Sequence, residues 1–302
     1  MVKSFVFILL IISLKGEVKV GYSLPTYSYT ASCNKSIVFL SMPVGSKNAI
    51  LYRYNMATSD VDSGYIPLGN APEEISFFGT NSLVCSDTII YIYEKIAKKI
   101  NYYNFMGKYL GQFLLKESPY TMSGENGYLL LLGQGYIVHI SLNDKKITRK
   151  EVEYKDFSPS DMWIATSHND TAIFFEARKM ILLTFSLKNG KFLSLFHIKK
   201  ARDLRAEVMR KERGRSIAFY PVSSYAGILT YKNYYILQRR DLKKEEKNVL
   251  VLVDRNSLKI KKVIRFPRSA RLLKYEPDEN MFYITNEGHE LVKISPFDLG
   301  IK

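Results

Sequence analysis

The sequence predicts an all-β chain built from six similar units. Three observations support this fold class: apolar runs of strand length fill the chain, they recur at a nearly constant spacing, and Gly, Asn and Asp stand between them. With 302 residues, 46% hydrophobic and 13% aromatic, the chain is long enough for one large β domain and too apolar for a disordered protein.

The most regular feature is an apolar run that ends in Asn, Ser or Asp. These runs end at residues 55, 104, 141, 186, 254 and 295, which gives a period of about 43 residues, except that the gap between 186 and 254 is about 25 residues longer. Each run follows another strand-like run, and most precede a polar turn and a third run. A shorter run before the unit, as at residues 73–79, 161–167, 225–231 and 270–276, brings the count to four strands per unit.

Four-stranded units at this period resemble the blades of a β-propeller. Tyr-rich runs followed by a turn, a Gly-Lys pair and a further strand, as at Gly107-Lys108, are similar to the six-bladed NHL, YVTN and TolB-like propellers. The resemblance implies a single domain over residues 17–302: a six-bladed β-propeller of four-stranded antiparallel blades. The longer gap between residues 186 and 254 predicts a short helical insertion between blades 4 and 5. The alternatives are a β-helix and a pair of β-sandwiches, and the sandwiches would not explain the repeat. The pattern of strands and turns identifies a fold and does not identify a function.

The sixth unit supplies only three strands before the chain ends. An unfinished blade would leave a sheet edge unpaired, which costs hydrogen bonds and favours aggregation. Residues 17–24, EVKVGYSL, alternate in polarity and precede the first unit. We therefore predict that they form the outer strand of the last blade and close the ring.

The N-terminus has the features of a secretory signal peptide. Lys3 precedes an apolar run at residues 4–14, which is too short to span a bilayer and is typical of a signal core. We expect residues 1–16 to be a signal peptide and the mature protein, without a transmembrane segment, to be exported to the periplasm, cell envelope or exterior. Two alternatives stay open: an uncleaved anchor, or a strand of the fold itself, which would make the protein cytoplasmic.

Only two cysteines occur, Cys33 and Cys85. They are too few for a disulfide scaffold or a cysteine-based zinc site. We expect two buried free thiols, with pairing as the alternative if the protein is exported. Just three glutamines beside abundant lysine point weakly to a thermophilic source.

The positive charge is concentrated in one quarter of the chain. The net charge is +15, and between Lys199 and Lys274 there are 22 Lys and Arg against 7 Asp and Glu, so the rest of the chain is neutral overall. Such asymmetry favours a polar partner more than uniform basicity does.

In a propeller, the connections between blades and those between the second and third strands of each blade share one face, here called the top face. Three basic segments are predicted there: residues 199–215, 239–247 and 267–271. In the first, Ala201, Leu204 and Val208 have helical spacing, so we expect a short amphipathic helix at about 201–213. The candidate partner-binding residues are Arg202, Arg205, Arg210, Lys211, Arg213, Arg215, Arg239, Arg240, Arg268 and Arg271.

No catalytic, metal-binding or cofactor motif emerges from the sequence. The four histidines lack ligand spacing, and we predict no cofactor and no catalytic residue. We therefore expect a non-catalytic binding or scaffold protein whose basic top face binds an acidic protein, an anionic glycan or a lipid headgroup. Nucleic acid is not the partner we expect if the protein is exported. The alternatives are a solvated charged face without a partner, a cytosolic scaffold, and a metal-dependent hydrolase or lyase of the lactonase-like type. Its site would lie at the channel mouth, near carboxylates for which no motif fits: Glu73, Glu74, Glu117, Asp161 and Glu287.

Overall fold

The fold is known from a computed structural model. It describes residues 18–23, 29–33, 35–76, 80–86, 88–153, 163–176, 179–198, 208–212, 215–219, 225–240, 247–267, 271–286 and 290–301. The regular elements in these ranges are all strands, and six antiparallel four-stranded sheets form the blades of a propeller, as predicted.

The strands are numbered in chain order, beginning with β1 (Val18–Ser23), which belongs to the last blade. Blade 1 contains β2 (Tyr29–Cys33), β3 (Ser36–Ser41), β4 (Asn48–Asn55) and β5 (Val61–Pro67). Blade 2 contains β6 (Thr80–Cys85), β7 (Ile89–Glu94), β8 (Lys99–Asn104) and β9 (Tyr109–Leu114). Blade 3 contains β10 (Thr121–Glu125), β11 (Tyr128–Leu132), β12 (Tyr136–Ser141) and β13 (Lys146–Glu151). Blade 4 contains β14 (Trp163–His168), β15 (Thr171–Glu176), β16 (Ile181–Ser186), β17 (Phe192–His197), and is followed by a separate hairpin, β18 (Val208–Glu212) and β19 (Arg215–Phe219). Blade 5 contains β20 (Tyr225–Tyr231), β21 (Tyr234–Arg240), β22 (Lys247–Asp254), β23 (Ile260–Pro267), and blade 6 contains β24 (Arg271–Glu276), β25 (Met281–Thr285), β26 (Glu290–Ile294) and β1.

The first strand of each blade lies innermost. Each inner strand contacts the inner strand of the next blade, from β2 through β6, β10, β14, β20 and β24, and β24 contacts β2. The six blades therefore surround one axis.

The ring is closed by β1, which pairs antiparallel with β26. Val18 lies opposite Lys293 and Ser23 lies opposite Glu290, with one irregularity between Lys19 and Tyr22. The last blade thus combines the first strand of the chain with the last three, and the predicted closure by residues 17–24 is confirmed.

The core is divided into six apolar clusters, one between each pair of neighbouring blades. The second strand of a blade is covered on both sides, which explains why it is a continuous apolar run: β3 is buried over its whole length. At the seam between blades 6 and 1, the rings of Tyr54 and Tyr283 lie 6.0 Å apart and both residues are fully buried. Ring closure therefore includes side-chain packing as well as strand pairing.

The turn after the third strand of one blade covers the outer strand of the blade before it. In blade 2 this turn includes Gly107, whose φ is +78°. A Cβ atom there would lie 2.3 Å from the Tyr65 carbonyl oxygen, and one at Gly64 would lie 2.3 Å from the Met106 carbonyl carbon. Only glycine allows these two backbones to approach so closely.

The prediction of a helix at residues 201–213 is wrong for residues 208–212. Val208–Glu212 is a strand that pairs antiparallel with Arg215–Phe219, and Met209 lies opposite Ala218. Backbone pairing with the following segment therefore overrides the helical spacing of the apolar residues. Residues 199–207 lie outside the described ranges.

The prediction also misplaces the inner strand of blade 2. Residues 73–79 were expected to form it, whereas the strand is Thr80–Cys85. Ile75 instead forms an isolated bridge with Leu68, within the connection between blades 1 and 2. The other three named inner-strand runs coincide with β14, β20 and β24.

The expectation of two free thiols is wrong, because Cys33 and Cys85 form a disulfide. Their Cα atoms are 5.4 Å apart, within the usual range for such a bond. The cysteines end the inner strands of blades 1 and 2, so the bond joins neighbouring blades. In the described part of the chain, no helix is long and apolar enough to cross a membrane.

Candidate functional site

The described ends of the predicted basic segments lie at the top face. Because the strands of each blade alternate in direction, β17, β21 and β23 end, and β20, β22 and β24 begin, at this end of the propeller. The opposite end, here called the bottom face, holds the connections between first and second strands and between third and fourth strands.

The ten predicted binding residues are only partly described. Arg210 and Lys211 lie in β18, Arg215 begins β19, Arg239 and Arg240 end β21, and Arg271 begins β24. Arg202, Arg205, Arg213 and Arg268 lie outside the described residues.

One hydrogen bond near the top face joins blades 5 and 6, and a second lies within blade 6. The backbone N–H of Leu272 donates to Gln238 Oε1 at 2.9 Å, and Gln238 is buried. The N–H of Arg271 donates to Thr285 Oγ1 at 3.0 Å. Since Gln238 directly precedes Arg239, the structure brings the ends of β21 and β24 together, as the propeller topology predicts.

The hairpin β18–β19 adds further basic residues to the connection between blades 4 and 5. Arg210 lies opposite Ile217, Lys211 opposite Ser216, and Glu212 opposite Arg215. Three cationic residues and one anionic residue therefore belong to one two-stranded element on the top face.

A buried ion pair fixes the connection between blades 1 and 2, also on the top face. Lys99 Nζ lies 3.4 Å from Glu94 Oε1 and donates to the carbonyl oxygens of Ala71, Pro72 and Glu74. Burial raises the pKa of Glu94, although the Ser76 N–H and the Lys99 ammonium both act to lower it. The network is structural, since each of its bonds holds the connection against blade 2.

Two of the carboxylates considered for a channel-mouth metal site have other partners. Glu74 accepts a hydrogen bond from the Ala71 N–H at 2.8 Å, and Glu117 pairs with Arg149 Nε at 3.0 Å. Asp161 and Glu287 lie outside the described residues. Within the ranges that the structure describes, no group of three or more His, Cys, Asp or Glu side chains is placed to hold a metal ion.

His139 occupies a structural position in blade 3. His139 Nε2 lies 2.6 Å from the Leu187 carbonyl oxygen, and the ring stacks on Tyr128 at 5.6 Å. Burial lowers the pKa of His139 and of His168. His139 is therefore a satisfied core residue, and His289 lies outside the described residues.

Hydroxyl groups link the inner strands around the axis. Ser82 Oγ lies 3.2 Å from Thr121 Oγ1, which connects blades 2 and 3. Ser123 Oγ donates to the Thr166 carbonyl oxygen at 2.7 Å, which connects blades 3 and 4. Backbone hydrogen bonds pair the strands within each blade, and these side-chain hydrogen bonds connect the inner strands of neighbouring blades.

A polar cluster lies at the bottom end of the inner strands. It consists of Glu125 of blade 3, Ser167 and Asp170 of blade 4 and Lys274 of blade 6, and is called the bottom cluster below. Lys274 Nζ donates to the Cys33 carbonyl oxygen at 2.7 Å and pairs with Glu276 at 3.4 Å. The cluster therefore lies beside the disulfide between blades 1 and 2.

Glu125 is the least satisfied member of the bottom cluster. Its Oε2 atom is buried and has no hydrogen-bond partner among the described residues. Burial raises its pKa, the Asp170 charge raises it further, and the Ser167 hydrogen bond and the Lys274 ammonium oppose both effects. Ser167 has one hydroxyl proton, and the Gly124 carbonyl oxygen also accepts it at 3.0 Å. Glu125 can thus take up a proton more readily than an exposed glutamate.

Sequence reasoning missed the bottom cluster because its members share no motif. Glu125 is the last residue of β10, Ser167 is next to last in β14, Asp170 lies in the turn after β14, and Lys274 lies in the second half of β24. The signal that finds them is their common position near the end of an inner strand. That position becomes visible only once all six inner strands are delimited.

Replacement of Glu125 by Gln is expected to stabilise the fold at alkaline pH. The folded-state pKa lies above the unfolded value, so the contribution of Glu125 to stability is present below about pH 4.5 and is lost as the pH rises through the raised pKa. Glutamine stays neutral at both pH values. The free energy of unfolding of Glu125→Gln should therefore exceed that of the unmodified protein by about 1 kcal/mol at pH 8 and equal it at pH 4. Urea unfolding at both pH values measures this, with Glu117→Gln as the surface control. An equal gain at both pH values would contradict the assignment.

Comparison with known proteins yields structural similarity only. No protein-family model matches the chain, and no curated protein matches it. A member of the DUF4221 family from Bacteroides vulgatus has a TM-score of 0.52 at 9% identity, over 92% of this chain and 94% of that one. Hydrazine synthase from Kuenenia stuttgartiensis has 0.50 at 11% identity, over 90% and 76% of the two chains. BamB from Moraxella catarrhalis has 0.45 at 12% identity, over 87% and 70%. At such identities the likeness shows the fold alone.

Proposed function

We propose that the chain is an exported, non-catalytic β-propeller that binds an acidic partner or a polyanion through a basic sector of its top face. The observation that carries the proposal is the charge distribution: the segment from Lys199 to Lys274 holds 22 Lys and Arg against 7 Asp and Glu, and the remainder is neutral overall. A surface of one sign attracts and steers partners of the opposite sign.

The topology supports convergence of this charge. The β18–β19 hairpin follows β17, which ends at the top face, and the end of β21, the start of β22, the end of β23 and the start of β24 lie at the same face. The hydrogen bond between Leu272 and Gln238 holds the basic ends of β24 and β21 side by side. Arginine suits such a surface because its planar guanidinium binds carboxylate, phosphate and sulfate groups through two parallel hydrogen bonds.

The disulfide supports export. Cys33 and Cys85 are 52 residues apart in sequence and are joined across two blades. Structural disulfides persist in oxidising compartments and are rare in the reducing cytosol. The bond is therefore consistent with the signal peptide predicted at residues 1–16.

Charge reversal on the top face tests the proposal. The triple variant Arg210→Glu, Arg215→Glu and Arg240→Glu should bind heparin and polyglutamate at least tenfold more weakly at low salt, because each side chain neutralises one anionic group. Its binding should also depend less steeply on salt concentration. Fluorescence anisotropy with labelled polyanions across a salt series measures both quantities.

The matched control carries the same change in charge on the bottom face. Lys146, Lys188 and Lys191 are exposed and lie in or beside the turns between third and fourth strands. Their reversal to Glu should reduce binding far less than the top-face variant does. Equal losses in the two triple variants would show that net charge, and not the top face, determines binding.

A further inference from the structure

The outermost strand of blade 5 carries a row of exposed cations. Lys259 lies just before β23, and Lys261, Lys262 and Arg265 lie within it, and all these side chains are exposed. β23 is the fourth strand of its sheet, and in the described part of the chain it pairs only with β22. One edge of β23 is therefore open on the outer wall of the ring, along the same residues that carry the positive charge.

Two carboxylates lie in turns next to this row, and both are bound within their own turns. Asp254 accepts hydrogen bonds from the Ser257 N–H and hydroxyl at 2.7 and 2.8 Å, and these bonds and, to a smaller extent, the Lys261 ammonium lower its pKa. Asp298 accepts a hydrogen bond from Ser295 Oγ at 2.6 Å. No described carboxylate lies within ion-pair distance of the cations of the row, which therefore keeps a net positive charge.

Protection of the sheet edge does not account for this charge. Lysine on an edge strand prevents association with other edges, but the outer strands β5, β9 and β17 of the same ring contain neither Lys nor Arg. In β13, Arg149 is paired with Glu117, and Lys150 donates to the Asn189 carbonyl oxygen. A row of cations without anionic partners is thus a particular feature of β23 among these strands.

The regular part of the open edge presents two cations and two β-branched residues. Its pairing with β22 is regular from Lys262 to Arg265, and the irregularity of the strand lies at Lys261. Side chains alternate between the two faces of the sheet, so Val263, which is 49% exposed, shares a face with Arg265, and Lys262 shares the other with Ile264. Opposite charges on paired strands are favourable and like charges are unfavourable. The edge therefore disfavours a second copy of β23 and favours a strand with acidic residues opposite its two cations.

We infer that the open edge of β23 binds an extended acidic segment of a partner protein, which adds a fifth strand to blade 5. The pattern that fits is acidic, apolar, apolar, acidic, opposite Lys262, Val263, Ile264 and Arg265. Backbone hydrogen bonds supply the pairing and the alternating side chains supply the specificity. A glycan or a lipid headgroup has no peptide backbone to pair with this edge. The surface uses none of the ten residues predicted on the top face, so the inference goes beyond the proposed function.

A labelled peptide with the central sequence Glu-Val-Val-Glu tests the pairing by fluorescence anisotropy. It should bind the full chain, and the double variant Lys262→Glu and Arg265→Glu should bind it roughly tenfold more weakly, because two favourable charge pairs become repulsive. The control variant Lys146→Glu and Lys188→Glu reverses two exposed charges on blades 3 and 4 and should bind like the unmodified chain. Equal losses in the two double variants would overturn the assignment to β23.

A second peptide, methylated at the amides of both valines, distinguishes strand addition from attraction by charge alone. Neighbouring amides of a strand point to opposite edges, so the two methyl groups block pairing along either edge and leave the charge unchanged. This peptide should bind roughly tenfold more weakly than the unmethylated one. Equal binding of the two peptides, or binding of neither, would overturn the inference.

The top-face variant separates this inference from the proposed function. Arg210→Glu, Arg215→Glu and Arg240→Glu together should weaken heparin binding and keep peptide binding, whereas the β23 double variant should weaken peptide binding and keep most of the heparin binding. Peptide binding that is lost in the top-face variant and kept in the β23 variant would overturn the β23 site and leave the proposed function standing.

Discussion

A chain that lacks residues 1–23 is expected to melt roughly 10 °C below a chain that lacks only residues 1–16. The shorter chain loses β1 and with it every backbone hydrogen bond between β1 and β26. Several bonds of about 1 kcal/mol each account for a decrease of this size in a protein of this length. Differential scanning calorimetry of the two truncated chains measures the difference, and the longer chain controls for removal of the N-terminal segment.

Loss of β1 should also change the association state. Without its partner, β26 becomes an exposed edge strand, which pairs readily with edges of other molecules. We expect the shorter chain to form dimers and larger species by light scattering under conditions in which the longer chain does not. Two truncated chains with the same melting temperature and the same mass would contradict closure of the ring by β1.

Replacement of Glu94 by Ala is expected to destabilise the fold by about 3–5 kcal/mol. Glu94 and Lys99 are both buried, and Lys99 Nζ has the Glu94 carboxylate as its nearby anion at 3.4 Å. The variant leaves an ammonium group buried with carbonyl oxygens alone, and it removes the acceptor for the Ser76 N–H at 2.8 Å. Urea denaturation monitored by tyrosine fluorescence gives the free energy of unfolding.

The control for this variant is Glu117→Ala. Glu117 also pairs with a cation, but its side chain and that of Arg149 are 30% and 43% exposed. Pairs that contact water contribute little, so a loss under about 1 kcal/mol is expected. If the two variants lost the same free energy, the buried network would not fix the connection between blades 1 and 2.

The architecture was predictable because it depends on a repeated pattern. Strand-length apolar runs recur about every 43 residues. One of them, Ser36–Ser41, is buried over its whole length in blade 1. The missing fourth strand of the last blade pointed to residues 17–24, since a ring cannot leave a sheet edge open without cost. The prediction of the blades uses only the periodicity of the sequence. The prediction of the closing strand adds only the requirement that no sheet edge of the ring stays unpaired.

The insertion between blades 4 and 5 was harder to predict. Its Ala, Leu, Arg and Glu residues favour a helix, and helix propensity is a weak preference that pairing partners readily override. The partner of β18 lies just beyond the predicted helix, in residues 215–219, and two residues including Gly214 separate the strands. Such short Gly-containing connections are typical of β-hairpins.

The disulfide and the bottom cluster depend on contacts between blades, which periodicity does not reveal. The sequence pattern predicts residues 73–79 as the inner strand of blade 2, which places Cys85 outside that strand. Once Thr80–Cys85 is the inner strand, Cys33 and Cys85 both end inner strands of adjacent blades. Glu125 acquires its unusual environment in the same way, from Asp170 of the next blade and Lys274 of the opposite one.

The disulfide also determines where the ring can first come apart. A propeller unfolds by separating two neighbouring blades, and Cys33–Cys85 covalently joins blades 1 and 2. Opening must therefore begin at one of the other five junctions, such as that between blades 6 and 1, where closure depends on noncovalent contacts. Blades 1 and 2 would then remain as a tethered pair after the rest of the ring has opened, so protease digestion under mildly denaturing conditions should release the later blades first.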